Sequence, residues 1–433
     1  MSDKSYSTKL VQPSPLFIGI DLGTSSCRAV AIDFQGNIKA QASSSYATTF
    51  HQEQTPEHWW QATQTVIQSI SSQVNHQHIQ SIAIDGTSST VFLCDKLGHP
   101  ISPVLMYNQH ASVKAIETVA PKKSVVLNPS SGLAKVLSLI KEYPPLESFH
   151  VVHQADWIAG KLCQRFNFSD INNTLKTGFD SKNGHWPLWL LDYFKSSKIN
   201  ASCLPQVFQP GESIQNIHPH VANDLCLPID VEIIAGTTDS TAAIIATGAK
   251  NIGDAVTSLG STLVVKVISD IEINEPKYGV YSQPYGKHWL VGGASNSGGA
   301  VLRYYFNQKQ ITKLTQQVNP DINTNLNYYP LVNAGERFPI NDPELLPKIK
   351  PVSDDSVFFQ GLLEGIAEIE LAGYKRLEKL GAPFPTLVQT AGGGAINQPW
   401  LRIRQNKLHV PVTKATYTEA AYGAALLAAK PYL

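Results

Sequence analysis

Phe17-Ile18-Gly19-Ile20-Asp21-Leu22-Gly23-Thr24-Ser25-Ser26-Cys27-Arg28-Ala29-Val30-Ala31-Ile32-Asp33 holds an apolar, β-prone run to Asp21, a turn with one glycine, and a second apolar run. That pattern is strand, turn, strand. Phe34-Gln35-Gly36-Asn37 closes a further turn, so the spacing predicts a meander of antiparallel strands. The device returns in Asp254–Val267, where Ala255-Val256-Thr257-Ser258 meets Leu259-Gly260-Ser261-Thr262 and continues through Leu263 to Val267. Two copies in one chain predict two similar halves facing each other across a cleft.

The turns suit an anion. Glycine lets the backbone approach a ligand closely, successive amides can point at it, and the following Thr or Ser hydroxyls add donors, an arrangement fitted to polyphosphate. Asp21, just before the first turn, is placed to hold magnesium through water, since that ion commonly takes one or two protein carboxylates together with phosphate oxygens. Plain hairpin turns at Leu22-Gly23-Thr24 and Leu259-Gly260-Ser261 would look the same singly; the repetition and the preceding acid favour a ligand.

Two further turns stand out. Ala83-Ile84-Asp85-Gly86-Thr87-Ser88-Ser89-Thr90 carries more hydroxyls than a turn needs and is suited to hydrogen-bond a polyol. Thr390-Ala391-Gly392-Gly393-Gly394-Ala395-Ile396-Asn397 leaves a strand and enters a helix through Gln398-Pro399-Trp400, baring backbone on which adenine and ribose can lie. Neither a phosphate-binding G-x-x-x-x-G-K-[ST] nor a strand-linked G-x-G-x-x-G occurs, so P-loop and dinucleotide sites have no support.

Asp239 follows Ile233-Ile234-Ala235-Gly236-Thr237-Thr238 and precedes an alanine-rich, helix-forming stretch, Ser240 to Ala249. A carboxylate at the mouth of a helix is held ionised by the partial positive charge there and stays ready to accept a proton. An acid that merely caps the helix gives the same pattern.

The 433 residues exceed what one hydrophobic core usually supports, which predicts two domains. Lys and Arg total 34 and Asp and Glu total 34, so the net field offers no reason to expect nucleic acid or anionic lipid as a partner. No apolar run approaches the roughly 18 residues of a membrane span. Five scattered cysteines, with no C-x-x-C pair, fit a reducing cytoplasm better than a disulfide framework or a zinc site. Residues 1–15 are polar, end in Pro13-Ser14-Pro15, and read as a loose tail without a secretory signal.

These segments together resemble the FGGY carbohydrate kinases. The resemblance is carried, in the family's order, by Asp21-Leu22-Gly23-Thr24, Ile84-Asp85-Gly86-Thr87-Ser88, Ala235-Gly236-Thr237-Thr238-Asp239, Ser258-Leu259-Gly260-Ser261-Thr262, Gly335-Glu336-Arg337-Phe338-Pro339, Gly361-Leu362-Leu363-Glu364-Gly365 and Gly392-Gly393-Gly394. It implies an α/β, two-domain actin-like ATPase fold in which duplicated ribonuclease-H-like domains flank a central cleft, with a sugar-binding domain over 16–240 and a nucleotide-binding domain over 241–433. It also implies ATP and Mg²⁺ as cofactors, a small sugar as partner, and a monomer or homodimer. By that resemblance Asp239 is the catalytic base, and Asp21 is the acid near magnesium, substrate and the transferred phosphate. Gly23, Thr24 and Ser25 form the first phosphate loop, and Gly260, Ser261 and Thr262 the second. Gly298 and Gly299 line the cleft, Gly392, Gly393, Gly394 and Asn397 belong to the adenosine segment, and Ser88 contacts the sugar.

Departures from the family pattern narrow the acceptor. A Trp-x-Asp-x-Arg segment common in the family reads here Tyr107-Asn108-Gln109-His110-Ala111, and Lys-x-x-Trp reads Lys135-Val136-Leu137-Ser138. With Gln154-Ala155-Asp156-Trp157 and the two-threonine base segment, these features resemble a compact cyanobacterial and plant branch of D-ribulose kinases. The expectation is phosphorylation of a primary hydroxyl of a ketopentose, D-ribulose first and D-xylulose second. An actin-like ATPase and a catalytically idle sugar sensor are the readings from other classes.

Overall fold

Every residue of the strand Leu16–Leu22 is buried, and a continuous apolar run is what a strand covered on both faces requires. It pairs antiparallel with Ser26–Ile32, which pairs antiparallel with Ile38–Ser45, and parallel with Ile79–Gly86 on its other side. Glu232–Thr238 and Ser213–Asn216 complete a six-stranded mixed sheet. The computed structural model describes residues 14–46, 54–144 and 148–433, so the expected tail lies almost wholly outside the described residues.

A second six-stranded sheet repeats the plan. Asp254–Leu259 pairs antiparallel with Leu263–Ser269, which pairs antiparallel with His288–Ser295, while Leu387–Ala391 and Val412–Lys414 add on in parallel. Tyr281–Tyr285 lies at its far edge. Both strand–turn–strand devices therefore form as the sequence predicts, each opening its own sheet. Among the described residues no helix is long and apolar enough to cross a membrane.

The helix Ala420–Ala429, drawn from the last part of the chain, lies on the first sheet, where Ala421, Ala425 and Ala428 share a core with Phe17, Val30, Ala83 and Ile234. Its composition of small residues explains the approach. A Cβ placed on Gly19 would sit 2.0 Å from the Ala421 carbonyl oxygen, and one on Gly423 would sit 1.9 Å from the Ala242 carbonyl oxygen in the helix Asp239–Thr247. That second helix runs across 240/241, the expected domain division, so the packing unit of the first sheet includes residues from both sides of it.

The second lobe is braced from within. Arg404, wholly buried, donates through Nε and Nη2 to the two oxygens of Glu370, each at 2.6 Å, and through Nη1 to Thr390 Oγ1 at 2.7 Å. Thr257 Oγ1 donates to the same carboxylate, which ties the strands Asp254–Leu259 and Leu387–Ala391 to the long helix Asp355–Lys379.

Candidate active site

Each sheet ends at a glycine turn that its own lobe holds in place. In the first lobe, Tyr46 donates its hydroxyl to the Gly23 carbonyl at 3.1 Å and its amide to the Ser25 carbonyl at 3.2 Å. Drawing the carbonyls inward leaves Thr24 and Ser25 exposed. In the second lobe, the amides of Gly299 and Ala300, at the start of the helix Gly299–Tyr305, donate to the carbonyls of Gly260 and Ser261 at 2.9 and 3.0 Å. A cavity of about 440 Å³ opens beside that turn, lined by Gly260, Ser261, Gly299, Gly393, Gly394 and Asn397. A volume of that order accommodates a small-molecule ligand.

Three of the expected residues carry a structural duty in the fold. Gly298 is buried, and a Cβ there would lie 2.7–2.8 Å from the backbone of Ser261 to Leu263; it lets the helix approach the turn rather than lining the cavity. Gly392 likewise packs under Leu259 and faces a separate pocket of about 230 Å³. Asn397 caps the helix Gln398–Leu408, accepting from the Trp400 amide at 3.0 Å while Nδ2 donates to Thr315, so its polar atoms are already engaged.

One residue on that cavity wall escaped the sequence reading. Arg303 Nη2 donates to Ser261 Oγ at 2.8 Å, placing a guanidinium at the phosphate turn. A lone arginine in an amphipathic helix carries no sequence signal of this kind.

The acids converge in the first lobe. Asp21 and Asp85 stand opposite each other in the parallel pairing of Leu16–Leu22 with Ile79–Gly86, and Asp239 heads the neighbouring helix. Asp85 was not foreseen, because only the sheet register puts the two acids side by side. Burial, with the charges of Asp21 and Asp239 nearby, holds the Asp85 carboxyl well above the usual carboxylate range. Neither of its oxygens meets a donor among the described residues; a proton kept on Asp85 lets it donate to Asp21. Burial also raises Asp21, opposed by Asp85 and by Arg28, whose Nη1 lies 3.8 Å from Oδ2.

At Asp239 the helix terminus does not act alone on the carboxyl. The acid does head the helix and accepts from the Ser240 amide, but burial outweighs that bond, and its pKa rises to about 6. It remains ionised at neutral pH by a modest margin.

The hydroxyl-rich turn is also more structural than expected. Thr87 donates to Gln154 Oε1 at 2.7 Å and lies 2.6 Å from the Thr90 hydroxyl, which accepts from the Tyr107 amide. Lys135 Nζ donates to the carbonyls of Ser89 and Met106 at 2.8 and 2.7 Å. Ser88 is the residue of Thr87–Thr90 that stays partly exposed, which suits it to the sugar contact expected of it.

The acid set fits a hydrated magnesium ion. Asp21 borders the turn, the oxygens of Asp85 lack protein donors, and among the described residues no group of three side chains forms a closed metal site. An ion that keeps water and phosphate oxygens as most of its ligands needs no more than that.

Comparison with known proteins identifies the family. The N-terminal domain model of the FGGY family of carbohydrate kinases matches residues 16–246, and the C-terminal domain model matches 255–431. A xylulose kinase of Staphylococcus xylosus is 22% identical over 444 residues, covering 95% of this chain and 90% of that protein. A gluconokinase of Bacillus subtilis is 22% identical over 448 residues, covering 95% and 86%. The crystal structure of a xylulose kinase from Brucella ovis superposes with a TM-score of 0.83 at 21% identity, covering 96% of this chain and 90% of that one.

Proposed function

Since the chain belongs to the FGGY family of carbohydrate kinases, and is an ATP-dependent sugar kinase, we propose that it phosphorylates a primary hydroxyl of a ketopentose, with D-ribulose giving D-ribulose 5-phosphate. The observation that carries the reading is that Asp239 and Asp21 lie near enough for their charges to act on each other where the strands of the first lobe end. D-xylulose is the second reading, favoured by relatives that bear the name xylulose kinase.

In this mechanism Ser88 orients the sugar and Asp239 accepts the hydroxyl proton as the oxygen–phosphorus bond forms and ADP departs. Magnesium, when bound, would supply charge neutralisation at the nucleotide phosphates, and Asp21 would hold it through water. The turns at Gly23–Ser25 and Gly260–Thr262 align the phosphates, and closure of the lobes excludes water, which would otherwise take the phosphoryl group.

The acceptor is tested by ADP release with ribulose, xylulose, ribitol, arabinitol, glycerol and no sugar. Ribulose is expected to give the highest kcat/KM. Preference for xylulose would overturn the choice of sugar, and equal ADP release without sugar would leave only an ATPase.

The raised pKa of Asp239 makes a second prediction. The base works only when ionised, so kcat/KM should fall as pH drops through about 6 rather than through the ordinary 3.8. A profile flat to pH 5 would show that another group takes the proton.

A further inference from the structure

Two lysines, from opposite lobes, lie near the helix that Asp239 heads, with no acid within ion-pair distance among the described residues. Lys176 follows the short helix Ile171–Leu175 in the first lobe, and its Nζ lies 5.2 Å from the centre of the Tyr281 ring on the edge strand of the second sheet. Lys266 lies on Leu263–Ser269, where its Nζ donates to Gln283 Oε1 at 2.6 Å.

The sheet register puts Lys266 on the face of the second sheet that packs against the helix headed by Asp239. Lys266 and Tyr281 both stand opposite Gly292, and a Cβ there would lie 2.6 Å from Lys266 Cγ, so the lysine stem crosses over the glycine toward Tyr281. Val256, the partner of Lys266 on its other side, packs with Ile268 and Leu290 against Ile244 of the helix that Asp239 heads. That packing brings Lys266 to the base. Both ammonium groups act on the Asp239 carboxyl, pulling its pKa down against burial.

Among the described residues neither lysine forms an ion pair, although both are half-buried. Taking a cation out of water is costly unless a counter-charge meets it, and the two ammonium groups are answered only by the Asp239 charge beyond ion-pair distance, the neutral amide of Gln283 and the Tyr281 ring. A cavity of about 350 Å³ lies at Lys176, walled by Ser124 and Asn128 from one lobe and by Gly279 and Tyr281 from the other. A Lys123–Glu275 ion pair of 2.8 Å joins the lobes at its edge.

We propose that Lys176 and Lys266 are a phosphate-gripping pair that closes from both lobes on the phosphoryl group as it reaches the acceptor, and that holds the phosphorylated product by its new charge. The proposal rests on the kinase reading above and adds two binding residues to it. The pair discriminates by charge, so it distinguishes a sugar phosphate from the neutral sugar, and it grips fully when the lobes approach.

The test compares Lys266→Met and Lys176→Met with the parent by calorimetry, using D-ribulose, D-ribulose 5-phosphate and inorganic phosphate, alongside single-turnover rates. A hydrogen bond to a charged group contributes enough that each substitution should weaken D-ribulose 5-phosphate and phosphate about tenfold or more. Neutral ribulose should bind within twofold of the parent, single-turnover phosphorylation should fall about a hundredfold in the double variant, and Lys266→Arg should recover part of the loss. Equal weakening of ribulose and its phosphate, or no change in either, would overturn the pair. Phosphate binding that depends on the lysines, in a protein whose parent form does not bind ribulose, would support the pair while refuting the sugar. Matched melting temperatures guard against misfolding, and Lys176, on a different lobe, supplies the independent variant.

Discussion

Replacing Asp239 with Asn is expected to lower kcat by about 10²- to 10⁴-fold, the range supplied by a positioned general base. The amide keeps the size and the bond to the Ser240 amide but cannot accept the hydroxyl proton. ATP affinity should be unchanged, because the cavity beside Gly260, Gly393 and Gly394 belongs to the other lobe. Stability should move the opposite way from activity. Burial raises the folded-state pKa to about 6, so the contribution of this acid to stability is full below its ordinary 3.8 and is lost as pH rises through 6. At neutral pH the ionised form is the costly one, and the Asn variant should melt at or above the parent temperature. Near-normal turnover would remove Asp239 as the base. Lost turnover with a lower melting temperature would point to damage to the fold.

The second large effect is structural. Arg404→Met leaves Glu370 buried without its bidentate partner, and breaking a buried pair from one side costs about 3–5 kcal/mol. Thr390 loses its donor at the same time and Thr257 is left bonded to an uncompensated carboxylate, and the strands that carry them lead into the Gly260 and Gly392 turns. The KM for ATP should therefore rise while sugar binding is little altered. Removing both partners, with Glu370→Leu added to Arg404→Met, should recover most of the lost stability, since no uncompensated charge remains. Melting of the three proteins checks this. A single variant that melts with the parent would mean that Glu370 is adequately held by Thr257 alone.

How much the sequence discloses depends on how local each feature is. The strand–turn–strand devices at Gly23 and Gly260 are legible because a period-2 apolar run and a glycine turn are written in consecutive residues, and both form. Asp239 is legible for the same reason, as an acid between a strand and a helix. Its pKa is not, because it is set by burial in the fold and by the charges of Asp21, Lys266 and Lys176, all far away in the chain. Asp85 shows the limit most clearly. Its neighbours spell a turn, and only the register of two parallel strands reveals that it faces Asp21. Hydroxyl density misleads at Thr87 and Thr90 because composition cannot tell which hydroxyls serve the turn itself. Gly298 and Gly392 are required by close backbone approach rather than by contact with the cavity, a distinction that sequence alone does not draw.

The helix Ala420–Ala429 completes a sheet whose strands are all made before residue 239. During synthesis, the surface around Phe17, Gly19 and Ala83 stays uncovered while the intervening chain is assembled. The interval from 247 to 420 takes roughly 10 to 35 s at ordinary elongation rates. The N-terminal half of this kinase therefore matures last in one respect: its apolar seam waits, as a target for chaperones or for mispairing, until the opposite half has been translated.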